Sequence, residues 1–255
     1  MKVTLISYTG HGHPDPLYAA RLLAYTKNTR LEQGEETRAK IEAMSEDELQ
    51  SELNYIAGTI RSSWEFVDYT FEVQGVTRAF THQLVRTRTA SYAQQAQRVV
   101  DMGSFESLKP DTVLAIDSQA EEYLGSQWDM LMEHIASTYQ YYQNLGVPNQ
   151  DCRGVLPTNV LTNIIVKANL RTMADLLAKR KNLRAQGEYG AVAQGMEEAI
   201  LSVHPWAHPF LSPERTRTPA LDNLLKEALG TASPIDRPAL NAALKELDTL
   251  KAVWG

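Results

Sequence analysis

The spacing of apolar residues along the chain alternates between strand and helix periods, and it predicts a sequence of elements. Val3–Tyr8 (VTLISY) reads as an opening strand, cut off by the Gly, His and Pro residues at 10–16 and followed by a helix from about Leu17 to Thr26. Ser45 with Glu48 three residues later forms a capping-box pattern and predicts a helix over 45–60. Tyr69–Val73 (YTFEV) alternates as a strand does, with Gly75 expected to end it. Val76, Phe80 and Leu84 then resume helical spacing as far as Val85. A long helix is predicted over Ala120–Asn144, stopped by Gly146-Val147-Pro148. Further helices are expected from Thr158 or Thr162 to Lys181, and from about Ala185 to His204. Beyond Pro205 the chain turns proline-rich, and two short helical patterns follow at about 219–229 and 237–252. The pattern predicts an α+β fold dominated by helices, with a main domain over 1–210 and a helical extension over 211–255.

Composition narrows the class. At 255 residues the chain can bury a sizeable core, and its 43% hydrophobic and 22% charged residues are those of a globular protein. No apolar run approaches the roughly 20 residues that span a bilayer, and the opening run is too short for a signal peptide. Cys152 is the only cysteine, which excludes an intramolecular disulfide and a cysteine-rich metal site. A cytoplasmic protein without a metal is the expectation. The net charge of −6 argues against a broad nucleic-acid surface. Acid concentrates in 35–52, however, while Arg78, Arg86, Arg88 and Arg98 crowd one segment and Arg171, Lys179, Arg180, Lys181 and Arg184 another. Two arginine groups on an acidic chain suit a small anionic ligand better than a polymer.

The first group lies in GVTRAFTHQLVRTRTASYAQQAQRVVD, residues 75–101. If Gln83 and Arg86 end a helix, they share one face, and Arg88, Ser91, Gln94 and Arg98 follow in quick succession. Guanidinium groups bind phosphate through paired planar hydrogen bonds, and Gln and Ser add neutral donors. A solvated loop carrying surface arginines fits the same residues. The second group lies in 145–186. On a continuous helix Asn169 and Arg180 would point within ~20° of each other, about 16 Å apart along the axis. That spacing suits a ligand lying along the helix, and equally an exposed polar stripe.

Both segments resemble the flavin-dependent thymidylate synthases. The family's R-H-R signature, followed by Ser and Arg, reads here as Arg86-Thr87-Arg88, Ser91, Ala96 and Arg98, flanked by Gly75–Val85 and Gln95–Arg98. The second half matches in Gly146-Val147-Pro148, Arg153-Gly154-Val155-Leu156-Pro157, Thr162, Asn169-Leu170-Arg171, Arg180 and Ala185-Gln186. Thr87 replaces the central His, Ala93 a usually polar residue, and Ala96 the second Ser. Upstream, Ile60 and Phe66 stand where an H-x-[ST]-x-x-E-H motif has its histidines, with Ser62 and Glu65 retained. Asp175 takes a place often held by Asn or His, and Arg184 one that is often His.

The resemblance implies a helix-rich domain around a mixed or antiparallel sheet. It implies FAD as cofactor, with NADPH and methylenetetrahydrofolate as co-substrates, and methylation of dUMP or UMP at carbon 5. It places Gln83, Arg86, Gln94, Arg98, Arg153 and Arg180 on the nucleotide, with Arg180 polarising the pyrimidine. It places Ser62, Arg86, Thr87, Arg88, Gln94, Asn169 and Arg171 on the flavin. It also implies a homotetramer with sites built between subunits, and neither nucleic acid nor membrane as partner. Ala93 and Ala96 remove polar bulk beside the nucleotide, which would admit a 2′-hydroxyl, as in relatives from nucleoside-antibiotic pathways. A catalytically impaired relative that only binds a nucleotide is the alternative, on the strength of the missing histidines. An RNA-binding module lacks the necessary basic balance and stacking motif.

Overall fold

Strand alternation and helical periodicity both appear in the computed structural model, which describes residues 1–28, 34–117, 123–180 and 187–211. Along these residues run β1 (Lys2–Tyr8), α1 (Tyr18–Asn28), α2 (Glu35–Glu42), α3 (Glu46–Thr59), a 3-10 turn (Arg61–Phe66), β2 (Asp68–Thr77), α4 (Arg78–Leu84) and β3 (Ser91–Gln94). Then come α5 (Asp111–Asp117), α6 (Tyr123–Asn144), α7 (Asn149–Cys152), a 3-10 turn (Arg153–Val155), β4 (Leu161–Asn169), α8 (Leu170–Arg180), α9 (Gly187–Val203) and α10 (His208–Leu211). The fold is α+β and helix-rich, around a four-stranded antiparallel sheet in the order β1-β2-β4-β3. The extension expected after residue 211 lies outside the described residues, as do Lys181–Gln186.

Contacts divide the chain into two units. The first comprises residues 1–3 and 72–166, the second residues 4–71 and 167 onward. In the second, α1 buries Ala19, Ala20, Leu23 and Ala24, and α3 buries Leu49, Leu53, Ile56 and Ala57, each set at helical spacing. Each Leu or Ile among them contributes roughly 1.5–3 kcal/mol by leaving water. Ser45 caps α3 with the full reciprocal box: its hydroxyl accepts from Glu48 N and its own N–H donates to the Glu48 carboxylate. α8 and α9 pack together with α10, and Trp64 of the first 3-10 turn meets Phe210 edge-on, ring centres 5.2 Å apart. In the first unit a separate cluster gathers Met102, Tyr139, Cys152 and Val160, with Phe105, Val147 and Leu156 against it.

Three sequence expectations are corrected. β2 does not stop at Gly75 but runs on to Thr77. Gly75 takes φ +66°, and buried positions shift from Tyr69, Phe71 and Val73 to Val76 and Thr77, the mark of one extra residue absorbed by a glycine bulge. The segment Leu161–Asn169 is a strand, not the start of a helix, and a turn precedes it at 158–159. From Val160 onward every second position is buried, Val160, Thr162, Ile164, Val166 and Ala168, four of them β-branched, a period of two that no helix can satisfy. Asn169 and Arg180 therefore do not share a helix face. Arg86 likewise lies past the end of α4, in a turn where its N–H donates to Gln83 O, so it and Gln83 are not on one helical face.

Candidate nucleotide and cofactor site

Seven of the expected site residues belong to the first unit, and four to the second. In the first, Thr77 caps α4 by accepting from Phe80 N at 3.0 Å, and the helix lasts only seven residues. Tight turns follow it. Val85 N donates to Thr81 O, Arg86 N to Gln83 O and Thr87 N to Leu84 O. The Tyr92 hydroxyl, 2.9 Å from both Leu84 O and Thr87 O, holds that turn from β3. Gln83 and Thr87 are half-buried, whereas Arg86 and Arg88 are exposed. Two long cations leaving a pinned turn can reach a ligand without bringing a carboxylate with them.

β3 carries the other side of this cluster. Ser91 and Ala93 face outward, while Gln94 turns inward and donates to Thr81 Oγ1 at 2.8 Å. Thr81 in turn donates to Arg78 O, so Gln94 reaches α4 through a buried hydroxyl. Ala96 opens a turn in which Val99 and Val100 both donate to its carbonyl, and Arg98 stands exposed within it. Arg78 reaches the same stretch, donating through Nη2 to Gln95 O at 2.5 Å. Burial first, and then the like charge of Arg153, lower the pKa of the Arg78 guanidinium. Arg153 itself is exposed, with its Nε donating to Gln150 O at 3.1 Å. Gln94 is thus tied to α4 through Thr81, the turn that carries Thr87 is held by Tyr92, and Arg78 links α4 to the stretch that leads to Arg98.

The second unit holds Ser62, Asn169, Arg171 and Arg180. Asn169 ends β4, and its side-chain oxygen accepts from Thr172 N at 2.9 Å, which caps α8. Leu170 N donates to Val67 O at 2.7 Å and fixes where that helix begins. Arg171 pairs with Glu65 at 2.5 Å, and Arg61 with Asp175 at 2.6 Å, both in solvent-accessible positions. Ser62 lies exposed on the 3-10 turn between these pairs. Arg180 is the last residue of α8, and its side chain lies outside what is described. Among the described residues no group of three His, Cys, Asp or Glu side chains could hold a metal ion, and no helix is long and apolar enough to cross a membrane.

Sequence spacing did not show that Arg78, Thr81, Tyr92 and Glu65 bond to the expected residues or to the segments that carry them. The signal for Arg78 was present, eight residues before Arg86 and in the same arginine group. The roles of Thr81 and Tyr92 depend on strand-to-helix hydrogen bonds that no one-dimensional spacing displays.

Comparison with known proteins adds the lineage. Residues 4–206 match the family model described as "Thymidylate synthase complementing protein". The chain is 32% identical over 216 residues to the flavin-dependent thymidylate synthase of Sulfurisphaera tokodaii, covering 84% of this chain and 78% of that one. It is 34% identical over 201 residues to that of Pyrococcus furiosus, with 78% and 79% covered. With that of Geobacter sulfurreducens it shares 32% identity over 207 residues, 80% and 84% of the two chains.

Proposed function

The chain belongs to the flavin-dependent thymidylate synthase family, and from that premise we propose that it methylates carbon 5 of a uracil nucleotide, dUMP or UMP, as a FAD-dependent enzyme. The observation that carries this reading is the hydrogen-bonded segment from α4 to β3 in the first unit, which holds Gln83 and Gln94 half-buried and leaves Arg86, Arg88 and Arg98 exposed. Exposed guanidiniums and amides on a fixed backbone suit an anionic, planar ligand.

The chemistry follows from what the pyrimidine lacks. Carbon 5 of uracil is a weak nucleophile until negative charge builds on the ring. In this reading Gln83, Arg86, Gln94, Arg98 and Arg153 hold the nucleotide. Arg180 stabilises an N3-deprotonated, enolate-like form of the base by placing positive charge where the electrons gather. In this reading Arg88, and Arg171 in exchange for its pair with Glu65, would supply positive charge to the pyrophosphate of a flavin, and Ser62, Arg86, Thr87, Gln94 and Asn169 would supply further donors to it. Bound FAD, reduced by NADPH, supplies the reducing equivalents that convert the one-carbon unit of methylenetetrahydrofolate into a methyl group. The protein's own work is to hold, orient and polarise. Because the anionic form of the base makes carbon 5 nucleophilic, no cysteine need add to carbon 6; carbon 5 takes up the carbon and gives up its proton, and Cys152 is buried.

Ala93 and Ala96 extend the proposal to the sugar. Both are exposed beside Gln94 and carry nothing beyond a methyl, which leaves room for a 2′-hydroxyl. The enzyme is therefore expected to accept UMP, as members of nucleoside-antibiotic pathways would, either alone or with dUMP. A kcat/KM for dUMP more than a hundredfold above that for UMP would sink this extension.

One observation favours a second reading, a nucleotide-binding protein without turnover: Ile60, Phe66 and Thr87 stand in place of imidazoles. The deciding experiment is spectroscopic. Purified protein is expected to carry the yellow of oxidised flavin, to bleach with NADPH, and to regain colour when methylenetetrahydrofolate and dUMP or UMP are added together. Protein that binds nucleotide but never takes up flavin would favour the second reading.

A further inference from the structure

Arg78 lies outside the residues assigned to the nucleotide above, yet the structure gives it the surroundings of a ligand. It is the first residue of α4, and two backbone hydrogen bonds fix what faces it. Arg78 N donates to Val160 O at 3.0 Å and Ala79 N to Thr158 O at 2.8 Å, which holds the chain just after Arg153 against the start of α4. The Nη2 hydrogen bond to Gln95 O sets the plane of the guanidinium and ties it to the stretch that leads to Arg98. Its Nε is buried and has no hydrogen-bond partner among the described residues. The group acting on its charge is another guanidinium, that of Arg153.

This arrangement is unfavourable in itself. Two like charges repel most strongly where water is partly excluded, and a buried N–H without an acceptor forfeits its hydration. One anion between the two guanidiniums would cancel both penalties. With Nη2 engaged by Gln95, the Nε–H is left as the donor that a phosphate oxygen can take.

We propose that Arg78 is a direct ligand of the nucleotide's 5′-phosphate and grips it together with Arg153. The proposal rests on the nucleotide-binding reading given above and adds a residue to it. It predicts that Arg78 distinguishes a nucleotide from its nucleoside and contributes nothing to recognition of the base.

The test uses the full flavin-loaded chain, with dUMP and deoxyuridine titrated separately by flavin fluorescence. Arg78→Gln is expected to weaken dUMP at least tenfold and to leave deoxyuridine within twofold of wild type. Its kcat at saturating dUMP is expected to stay within about threefold while KM rises. Arg78→Lys, which keeps the charge and loses the fork, is expected to fall between the two, and it decides the matter if the Gln variant does not fold. Arg153→Gln serves as reference. If Arg153→Gln loses dUMP affinity and Arg78→Gln does not, the inference is overturned and the nucleotide site stands. Equal losses for dUMP and deoxyuridine overturn it too, because Arg78 would then be positioning Gln95 instead of binding phosphate. If the wild-type chain binds no uracil nucleotide, the underlying reading fails, and this inference fails with it.

Discussion

At the scale of single residues, buried polarity separates the side chains that serve stability from those kept for a ligand. His204 and Tyr69 are both buried, with the Tyr69 hydroxyl 3.0 Å from His204 Nδ1 and the rings of Tyr8 and Trp206 around the imidazole. Burial pushes His204 down to about 4 and raises Tyr69 above its ordinary range, so at neutral pH both groups are uncharged and share one hydrogen bond. The folded pKa lies below the unfolded value of about 6.5. The stability this pair contributes is therefore complete above pH 6.5 and drains away as pH falls toward 4, by up to ~3 kcal/mol. Urea unfolding at pH 7.5 and pH 5 is expected to show that loss, and His204→Asn to flatten it; an unchanged slope in the variant would place the acid sensitivity elsewhere. Arg180 represents the opposite kind of residue. Its proposed part is to meet charge that appears only as the base is activated, and removing one such donor costs about 10²–10³ in turnover. Arg180→Lys is expected to lower kcat by that factor while NADPH still reduces the flavin at the wild-type rate. A flavin half-reaction slowed equally would move Arg180 from the pyrimidine to the cofactor.

At the scale of elements, local signals were legible where they were self-contained. The Ser45 and Glu48 pair announced α3, and Gly146 with Pro148 announced the end of α6. Legibility failed where partners decided the outcome. The 160–168 run has an amphipathic pattern, but pairing within the sheet, together with the N-cap that Asn169 supplies to α8, places a strand end before the helix. Spacing alone could not show that boundary. The same holds in the site: the arginine groups were visible as composition, while the pins that aim them, Tyr92 on the Leu84–Thr87 turn and Gln94 on Thr81, are tertiary. Gly75 was visible as a breaker, yet its function is to bulge a strand that continues. At φ +66° a side chain is strained, and a Cβ there would sit 3.3 Å from the Met1 nitrogen. Gly75→Ala is expected to cost about 1–2 kcal/mol in denaturant midpoints with an unchanged m-value, and Gly75→Asn less, since Asn tolerates this conformation better. An alanine variant as stable as wild type would show that the bulge carries no strain.

At the scale of the whole molecule, α6 presents two faces of different character. Toward its own unit it turns Tyr139, fully buried, with Met132 and Ile135 half-buried beside it. Away from that face it exposes Met130, Leu131, Tyr141 and Tyr142, with Leu145 following in the turn just past its end; Leu131 is at 52% and Leu145 at 64% accessibility. At about 100° per residue the four side chains on the helix span about 120° of it, the width of a face that a helix ordinarily buries. Exposed apolar surface of that kind is costly in water, and a contact with another chain would cover it. The expected homotetramer, with sites built between subunits, supplies one. It also gives a reason for two arginine groups on separate segments, because residues from different copies could complete one site. The double variant Leu131→Glu, Leu145→Glu places like charges on both sides of such a contact. It is expected to reduce the native mass from tetramer to smaller species and to lose flavin and turnover together, while the helical circular dichroism persists. A variant that keeps the wild-type mass, or a wild-type chain fully active as a monomer, would remove α6 from the interface. In the second case each site would have to be complete within one copy.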